Sequence, residues 1–296
     1  MKKEEYISGM LERTALFYDE DAIEKIRNTV FAISGFGGVG AITAELLARW
    51  GIRRFRLLDM DVYEPSNLNR QLFASSSTLG RYKADVTAER IKEINPYAKI
   101  DMVVKDPVDN ENVNRFLDGA DIIIQTADSP SCQLFYRAAK KYKIPAVNGF
   151  STIIGCRVQI YDYRKPNKWF ALETIRDKKK FKGRKDLAQM NKKELSEFNA
   201  GFMHGSETGA TLNFVTNIAG AMIVSESIKL LTETGKPCCF PDVIDLDLYN
   251  LKLSVKNTYS PFSLENFKKV FGKWNKTRHF KSYLAKRKKD AGIKQG

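Results

Sequence analysis

The stretch Asp59–Gln71 reads DMDVYEPSNLNRQ, and Lys83 follows it twelve residues later. Two spaced carboxylates (Asp59 and Asp61), an amide (Asn67) and two cations (Arg70 and Lys83) stand just after a glycine-rich loop, Gly35-Phe-Gly-Gly-Val-Gly40. Glycines at 35, 37, 38 and 40 let the backbone turn tightly and approach phosphate oxygens, and a following helix offers its N–H groups and dipole to the anion. An acid at the end of the next strand accepts hydrogen bonds from ribose hydroxyls, the role expected of Asp59. A nicotinamide enzyme would show the same loop and acid. Arg70 and Lys83 make the pattern more specific. An enzyme that expels pyrophosphate must neutralise charge as the α-phosphorus is attacked, and cations fixed there stabilise that state. Asn67 can donate to a phosphate oxygen as well. The expected chemistry is activation of a carboxylate with ATP, not hydride transfer.

Asp128, in Thr126-Ala127-Asp128-Ser129-Pro130, follows an apolar run and opens a helical pattern. A carboxylate there can hold magnesium against the phosphates, since Mg²⁺ takes one or two carboxylates plus water and phosphate. An ordinary helix N-cap is the competing reading. His204 could act as a base near the substrate, although a histidine in a surface loop is the plainer reading. Cys132, Cys156, Cys238 and Cys239 form no disulfide framework and read as reduced thiols.

These groups need elements to position them. Thr29–Ser34 reads as a strand ending at the glycine loop, Ala41–Trp50 as a helix, and Arg54–Asp59 as the next strand. Lys83–Asn95 reads as a helix stopped by Pro96. Lys99–Val104 and Asp121–Thr126 are further strands, Ser129–Lys141 a helix, and Ala146–Asn148 with Arg157–Tyr163 continue the sheet. Residues 164–205 are lysine-rich and poorly periodic, and read as a long surface crossover. Thr211–Thr232 reads as an apolar helix, and Val243–Leu248 with Leu251–Val255 as a late hairpin. The alternation predicts an α/β fold, a Rossmann-like doubly wound and mainly parallel sheet with a late antiparallel portion.

The 296 residues suffice for one large domain, expected over residues 1–262, with a basic aromatic tail at 263–296. The net charge is +14, and the tail holds eleven Lys or Arg against two acids, a net of +9. A second basic run, Lys178–Lys185, lies in the middle. Such runs are commonly solvated surface, but two on one chain suit an acidic peptide or RNA. No apolar run was expected to span a bilayer and no signal sequence is evident, so a cytoplasmic protein without membrane contact is expected.

Taken together, the loop, Asp59, SNLNRQ and Lys83 resemble the ThiF/MoeB superfamily, the adenylating enzymes related to ubiquitin-activating enzymes. The resemblance covers roughly residues 10–255. It implies a homodimer and attack of a substrate carboxylate on ATP, giving an acyl-adenylate and pyrophosphate. It assigns ribose contact to Asp59, phosphate contact to Asn67, Arg70 and Lys83, and magnesium to Asp128. It also implies an arginine that reaches the triphosphate from the other subunit, for which Arg13 is the candidate.

Departures from the family pattern narrow the choice. Both C-x-x-C pairs found in most relatives are missing, so no zinc site is expected. The crossover carries no cysteine for thioester transfer, and Cys156 reads as a core residue. An intact first half-reaction without its thiol-dependent second half resembles enzymes whose adenylate is trapped by a nucleophile in the substrate. Ala127–Pro130 and Pro145–Gly149 look closest to peptide-tailoring members such as the microcin C and pantocin biosynthesis enzymes. Arg13–Tyr18 and Ala88–Pro96 look like the tRNA threonylcarbamoyl-adenosine dehydratases. An acidic ribosomally made peptide is the favoured substrate and tRNA the alternative. A nucleotide-binding partner without catalysis and a nicotinamide oxidoreductase are further alternatives, and both leave the Arg70, Lys83 and Asp128 set without a use.

Overall fold

A computed structural model describes residues 2–127, 132–170, 187–191, 193–195, 197 and 211–258. Residues Met1–Lys256 form one compact unit. Its sheet has eight strands in the order β3-β2-β1-β4-β5-β6-β7-β8. These are β1 (Val30–Ser34), β2 (Arg54–Leu58), β3 (Lys99–Val104), β4 (Ile122–Gln125), β5 (Ala146–Ser151), β6 (Gly155–Tyr161), β7 (Asp242–Asp247) and β8 (Lys252–Asn257). The first five run parallel, and β6 and β7 then pair antiparallel. Strands β1 (VFAIS) and β4 (IIIQ) are buried along their whole length, the continuous apolar run that a parallel strand covered on both faces requires. The predicted sheet and its late antiparallel portion are therefore present.

Seven helices are described: α1 (Lys3–Leu11), α2 (Glu20–Asn28), α3 (Gly38–Arg49), α4 (Lys83–Ile94), α5 (Asn110–Leu117), α6 (Cys132–Tyr142) and α7 (Asn213–Thr232). Helix α3 starts at Gly38, earlier than expected, so the last two loop glycines form its first turn. Helices α1, α2 and α5 were not read from the sequence. Asp19 caps α2 by accepting from the Ala22 N–H at 2.8 Å, and Asp109 with Asn112 forms a capping box on α5. A central cluster of Phe31, Ile33, Leu47, Phe55, Ile124 and Ile223 joins the sheet to α3 and α7.

Two expectations need correction. Helix α7 is in fact long and apolar enough to cross a membrane, with a mean hydropathy of 1.3. It serves instead as a core helix, burying Val215, Ala219, Ile223 and Ile228. The crossover is also not all surface. Phe170, Leu187 and Leu195 are buried, and Phe170 packs 4.8 Å from the ring of Tyr163.

Candidate active site

Strand order reverses between β1 and β4, the point where an open α/β sheet leaves a crevice beyond its strand ends. The glycine loop lies there under three ties. Gly35 N–H donates to the Leu58 carbonyl at 2.9 Å, and Phe36 N–H donates to Asp59 Oδ2. Thr126 Oγ1 donates to the carbonyls of Ser34 and Gly35 at 2.9 and 2.7 Å. Gly35 has φ +86°, and a Cβ on Gly40 would sit 1.8 Å from the Gly35 oxygen. Both positions admit only glycine. A Cβ on Gly38 would meet Thr216 of α7 at 2.8 Å, whereas at Gly37 nothing lies nearer than Gln71 Nε2 at 3.9 Å. The loop is thus closed behind and open at the head of α3, a cradle that suits a phosphate.

Asp59 is 7% exposed. Its Oδ2 accepts from Phe36, and its Oδ1 accepts from the Asp61 N–H at 2.9 Å. Burial, and secondly the charge of Asp61, push its carboxyl up to about 6, against the opposing pull of Lys83. Each oxygen keeps a lone pair for a hydroxyl. Asp59 therefore both fixes the loop and presents the acceptor expected for a ribose.

Lys83 arrives by a short backbone ladder. Tyr63 N–H donates to the Arg81 carbonyl at 3.0 Å and Lys83 N–H to the Asp61 carbonyl at 2.9 Å, with Val62 and Tyr82 bridged antiparallel. Lys83 Nζ then lies 3.0 Å from Asp61 Oδ2, its side chain 7% exposed against 57% for Asp61. The ammonium is sheltered while its partner faces water.

The SNLNRQ segment forms a 3₁₀ turn, Pro65–Asn67, followed by a further turn. Asn67 is buried and closes its own turn, its Oδ1 accepting from the Glu64 N–H at 3.1 Å. Its Nδ2 reaches Ser66 Oγ at 3.3 Å, which leaves one amide hydrogen for a ligand. Arg70 Nη1 donates to the Ser66 carbonyl at 2.8 Å and to Asn69 Oδ1 at 2.9 Å. No carboxylate among the described residues neutralises it. Thr216 Oγ1 approaches the Arg70 carbonyl at 3.5 Å, so the head of α7 abuts this turn.

The structure thus brings together Gly35, Gly37, Gly38, Gly40, Asp59, Asp61 and Lys83, and holds Asn67 and Arg70 on the adjoining turn. Arg13 stands exposed beside the 3₁₀ turn Thr14–Leu16, with no hydrogen-bond partner among the described residues. Asp128, His204, the run Lys178–Lys185 and the tail 263–296 lie outside the described residues.

Four contributors, Gln71, Gln125, Thr126 and Asn148, carried no role in the sequence reading. Gln71 is 6% exposed and its Oε1 has no hydrogen-bond partner among the described residues. Thr126 pins the loop. Asn148 Nδ2 donates to the Gln125 carbonyl at 3.0 Å, and Gln125 Nε2 to the Ala127 carbonyl at 2.8 Å, which anchors the chain directly before Asp128. The sequence signal for all four was position alone, at the carboxyl ends of strands or inside SNLNRQ.

Cys156 and Cys238 are not poised for attack. Cys156 is fully buried with its Sγ 3.5 Å from Met222 Sδ. Burial, then the charge of Asp245, push it up to about 11. Burial and Glu226 do the same to Cys238. Such thiols remain protonated and unreactive.

A model of the ThiF family matches residues 11–263. The chain is 39% identical over 137 residues to the tRNA threonylcarbamoyladenosine dehydratase of Escherichia coli, covering 45% of this chain and 50% of that one. It is 26% identical over 222 residues to the molybdopterin-synthase adenylyltransferase of Haemophilus influenzae, covering 75% and 82%. The chain spans about half the length of the dehydratases it matches. Among solved structures, E. coli MccB crystallised with AMPCPP and MccA superposes with a TM-score of 0.66 at 21% identity, over 86% of this chain and 73% of that one. PaaA superposes with a TM-score of 0.65 at 20% identity, over 86% and 82%. These two likenesses establish a shared fold.

Proposed function

The chain belongs to the ThiF family, and we propose that it uses ATP to activate a carboxylate in a ribosomally made peptide. The observation that carries this reading is the sheltered Lys83 ammonium, 3.0 Å from Asp61 and beside the buried Asp59. Arg70 stands one turn beyond Asn67 without a counter-ion among the described residues. Hydride transfer has no use for two cations at this point. Expulsion of pyrophosphate does.

ATP enters as a substrate. The open face at Gly37 and the head of α3 receive phosphate, and Asp59 receives the ribose. A substrate carboxylate oxygen attacks the α-phosphorus, the bond to pyrophosphate breaks, and an acyl-adenylate forms. Lys83 and Arg70 take up the charge that develops on the departing pyrophosphate. Magnesium would supply further neutralisation, held by Asp128, which follows β4 by three residues in sequence; no step above depends on it. With Cys156 and Cys238 protonated, the adenylate passes to a nucleophile within the substrate. We further propose that residues 1–262 form the adenylating domain and that the basic tail adds affinity for an acidic substrate. The chain works in the cytoplasm as a homodimer. Leu16 and Phe17, 78% and 75% exposed beside Arg13, offer apolar surface for a second copy to cover.

The likeness in fold to MccB and PaaA over most of the chain supports the peptide. A second reading, dehydration of a carboxylate on a tRNA base, is favoured by the 39% identity to the E. coli dehydratase. ATP–pyrophosphate exchange separates them. We expect exchange with acidic peptides encoded beside the gene and none with bulk tRNA. Exchange with tRNA alone establishes the second reading; exchange with neither leaves a missing substrate or a non-catalytic partner, and tight ATP binding then favours the missing substrate.

A further inference from the structure

Residues 132–170 contain eight Lys or Arg and a single acid, Asp162. That acid is already used, since Arg164 Nε lies 2.7 Å from it and its side chain is 7% exposed. The surplus collects at one place. Lys140 and Lys141 occupy the last turn of α6. Lys143 follows in the left-handed region at φ +54°, a position that ordinarily favours glycine. Lys165 and Lys168 lie on the segment that leaves β6.

Sheet register makes these two groups neighbours. Ala146, at the start of β5, pairs with Tyr161, at the end of antiparallel β6. The chain after α6 and the chain after β6 therefore lie at the same edge of the sheet. An aromatic spine fastens them, with Tyr136 and Tyr161 5.1 Å apart and Tyr163 and Phe170 4.8 Å apart. Lys140 Nζ stands 6.0 Å above the Phe170 ring.

Cations on α3, α4 and the outer strands β2 and β3 are handled differently. Arg49 and Arg90 share Glu45, at 2.5 and 2.8 Å. Arg54 and Lys99 share Asp101, at 2.7 and 3.5 Å. Among the described residues, Lys141, Lys143, Lys165 and Lys168 have no carboxylate within ion-pair distance. Lys141 Nζ donates to the neutral Asn114 Oδ1 at 2.9 Å, which leaves its charge uncancelled; like charges gathered without counter-ions repel, and a strip of them on a fixed scaffold attracts an extended anion.

We infer that this strip is a docking face for an acidic stretch of the substrate peptide, away from the carboxylate that is activated. This rests on the peptide reading above. A polypeptide anion fits better than an RNA because lysines already occupy one face of each of two aromatic rings of the strip. Lys141 Nζ lies 4.9 Å over Tyr142 and Lys168 Nζ 5.5 Å over Trp169, so each of these rings has one face occupied by a lysine of the strip itself and less surface for a stacked base. The strip is also only one helical turn and one loop wide, which suits a single extended chain better than the broad footprint of a folded nucleic acid.

The geometry sets a length requirement. The strip is at the amino ends of the parallel strands and the glycine loop at their carboxyl ends. The six residues of β5 span about 20 Å at a strand's rise. An extended peptide needs about six or seven residues to cover that distance. The acidic stretch should therefore lie at least that far in sequence from the reacting carboxylate.

The test uses a fluorescein-labelled glutamate dodecapeptide, followed by anisotropy at low salt, with bulk tRNA as competitor. Lys141, Lys143, Lys165 and Lys168 are changed together to Glu, and separately together to Arg, with circular dichroism melts to confirm folding. The expected result is at least tenfold weaker binding for the glutamate variant and near wild-type binding for the arginine variant. Equal binding by both variants overturns the face, as does preferential binding of tRNA that the glutamate substitutions abolish. Peptide-dependent pyrophosphate exchange is measured alongside. Exchange with an unchanged peptide KM in the glutamate variant overturns the face and leaves the activity standing. No peptide-dependent exchange in the wild type removes the activity and the face together.

Discussion

Lys83 Nζ lies 3.0 Å from Asp61 Oδ2 across 22 residues of chain, and a backbone ladder between residues 61–63 and 81–83 sets that distance. The loop between them carries SNLNRQ. Closing it places the amide and guanidinium of that motif on the same side as the glycine loop and delivers a sheltered cation to its edge. The spacing between Asp59 and Lys83 is therefore a structural requirement of one closed loop.

The glycines should separate into structural and ligand-facing positions. Gly40→Ala puts a Cβ 1.8 Å from the Gly35 oxygen, and should cost more than about 4 kcal/mol or prevent folding. Gly37→Ala meets nothing within 3.9 Å except the Gln71 amide. It should melt within a few degrees of the wild type and bind ATP about tenfold more weakly, as read by thermal melts and calorimetry.

Asp59 makes the fold sensitive to pH. Its carboxyl is raised from 3.8 to about 6. Between those values the folded chain keeps a proton that the unfolded chain has lost, so this group's contribution falls as pH rises and levels off above about 6. Asp59→Asn removes the term. Denaturant titrations across this range should show the stability of wild type relative to variant declining by up to about 3 kcal/mol. A difference that stays constant with pH contradicts this account.

Lys83 pulls the Asp59 carboxyl down from where burial would leave it. Lys83→Gln should shift the Asp59 transition to higher pH in the same titrations and suppress pyrophosphate exchange. A loss of exchange with an unmoved transition would detach Lys83 from Asp59.

Arg70 has no counter-ion to lose among the described residues. Arg70→Ala should change the free energy of unfolding by less than about 0.5 kcal/mol while lowering the rate of exchange about 100- to 1000-fold. Parallel exchange assays and melts check both halves.

Much of this architecture was legible in the residues. TVFAIS before the glycine loop, the apolar run before Asp128 and the arrest at Pro96 gave strands and helices close to those observed. Three helices were missed for physical reasons. Helix α1 holds Gly9 and buries only Ile7 and Leu11, so its apolar pattern is faint. Helices α2 and α5 are short, and their Asp19 and Asp109 caps are also common turn residues. At the site, residue type announced Asp59, Arg70 and Lys83. The tie from Thr126, the buried Gln71 amide and the self-capping of Asn67 depend on how distant segments pack. No local spacing encodes them.

The central claim is that a substrate carboxylate attacks the α-phosphorus of ATP. Carrying heavy oxygen in the carboxyl group of a peptide that supports exchange, followed by mass spectrometry of the nucleotide released after turnover, tests it most directly. The account predicts one heavy oxygen in AMP, because the attacking oxygen stays on the α-phosphorus when the acyl group leaves. Label in inorganic phosphate with ADP as the nucleotide product, or AMP without label, would contradict it.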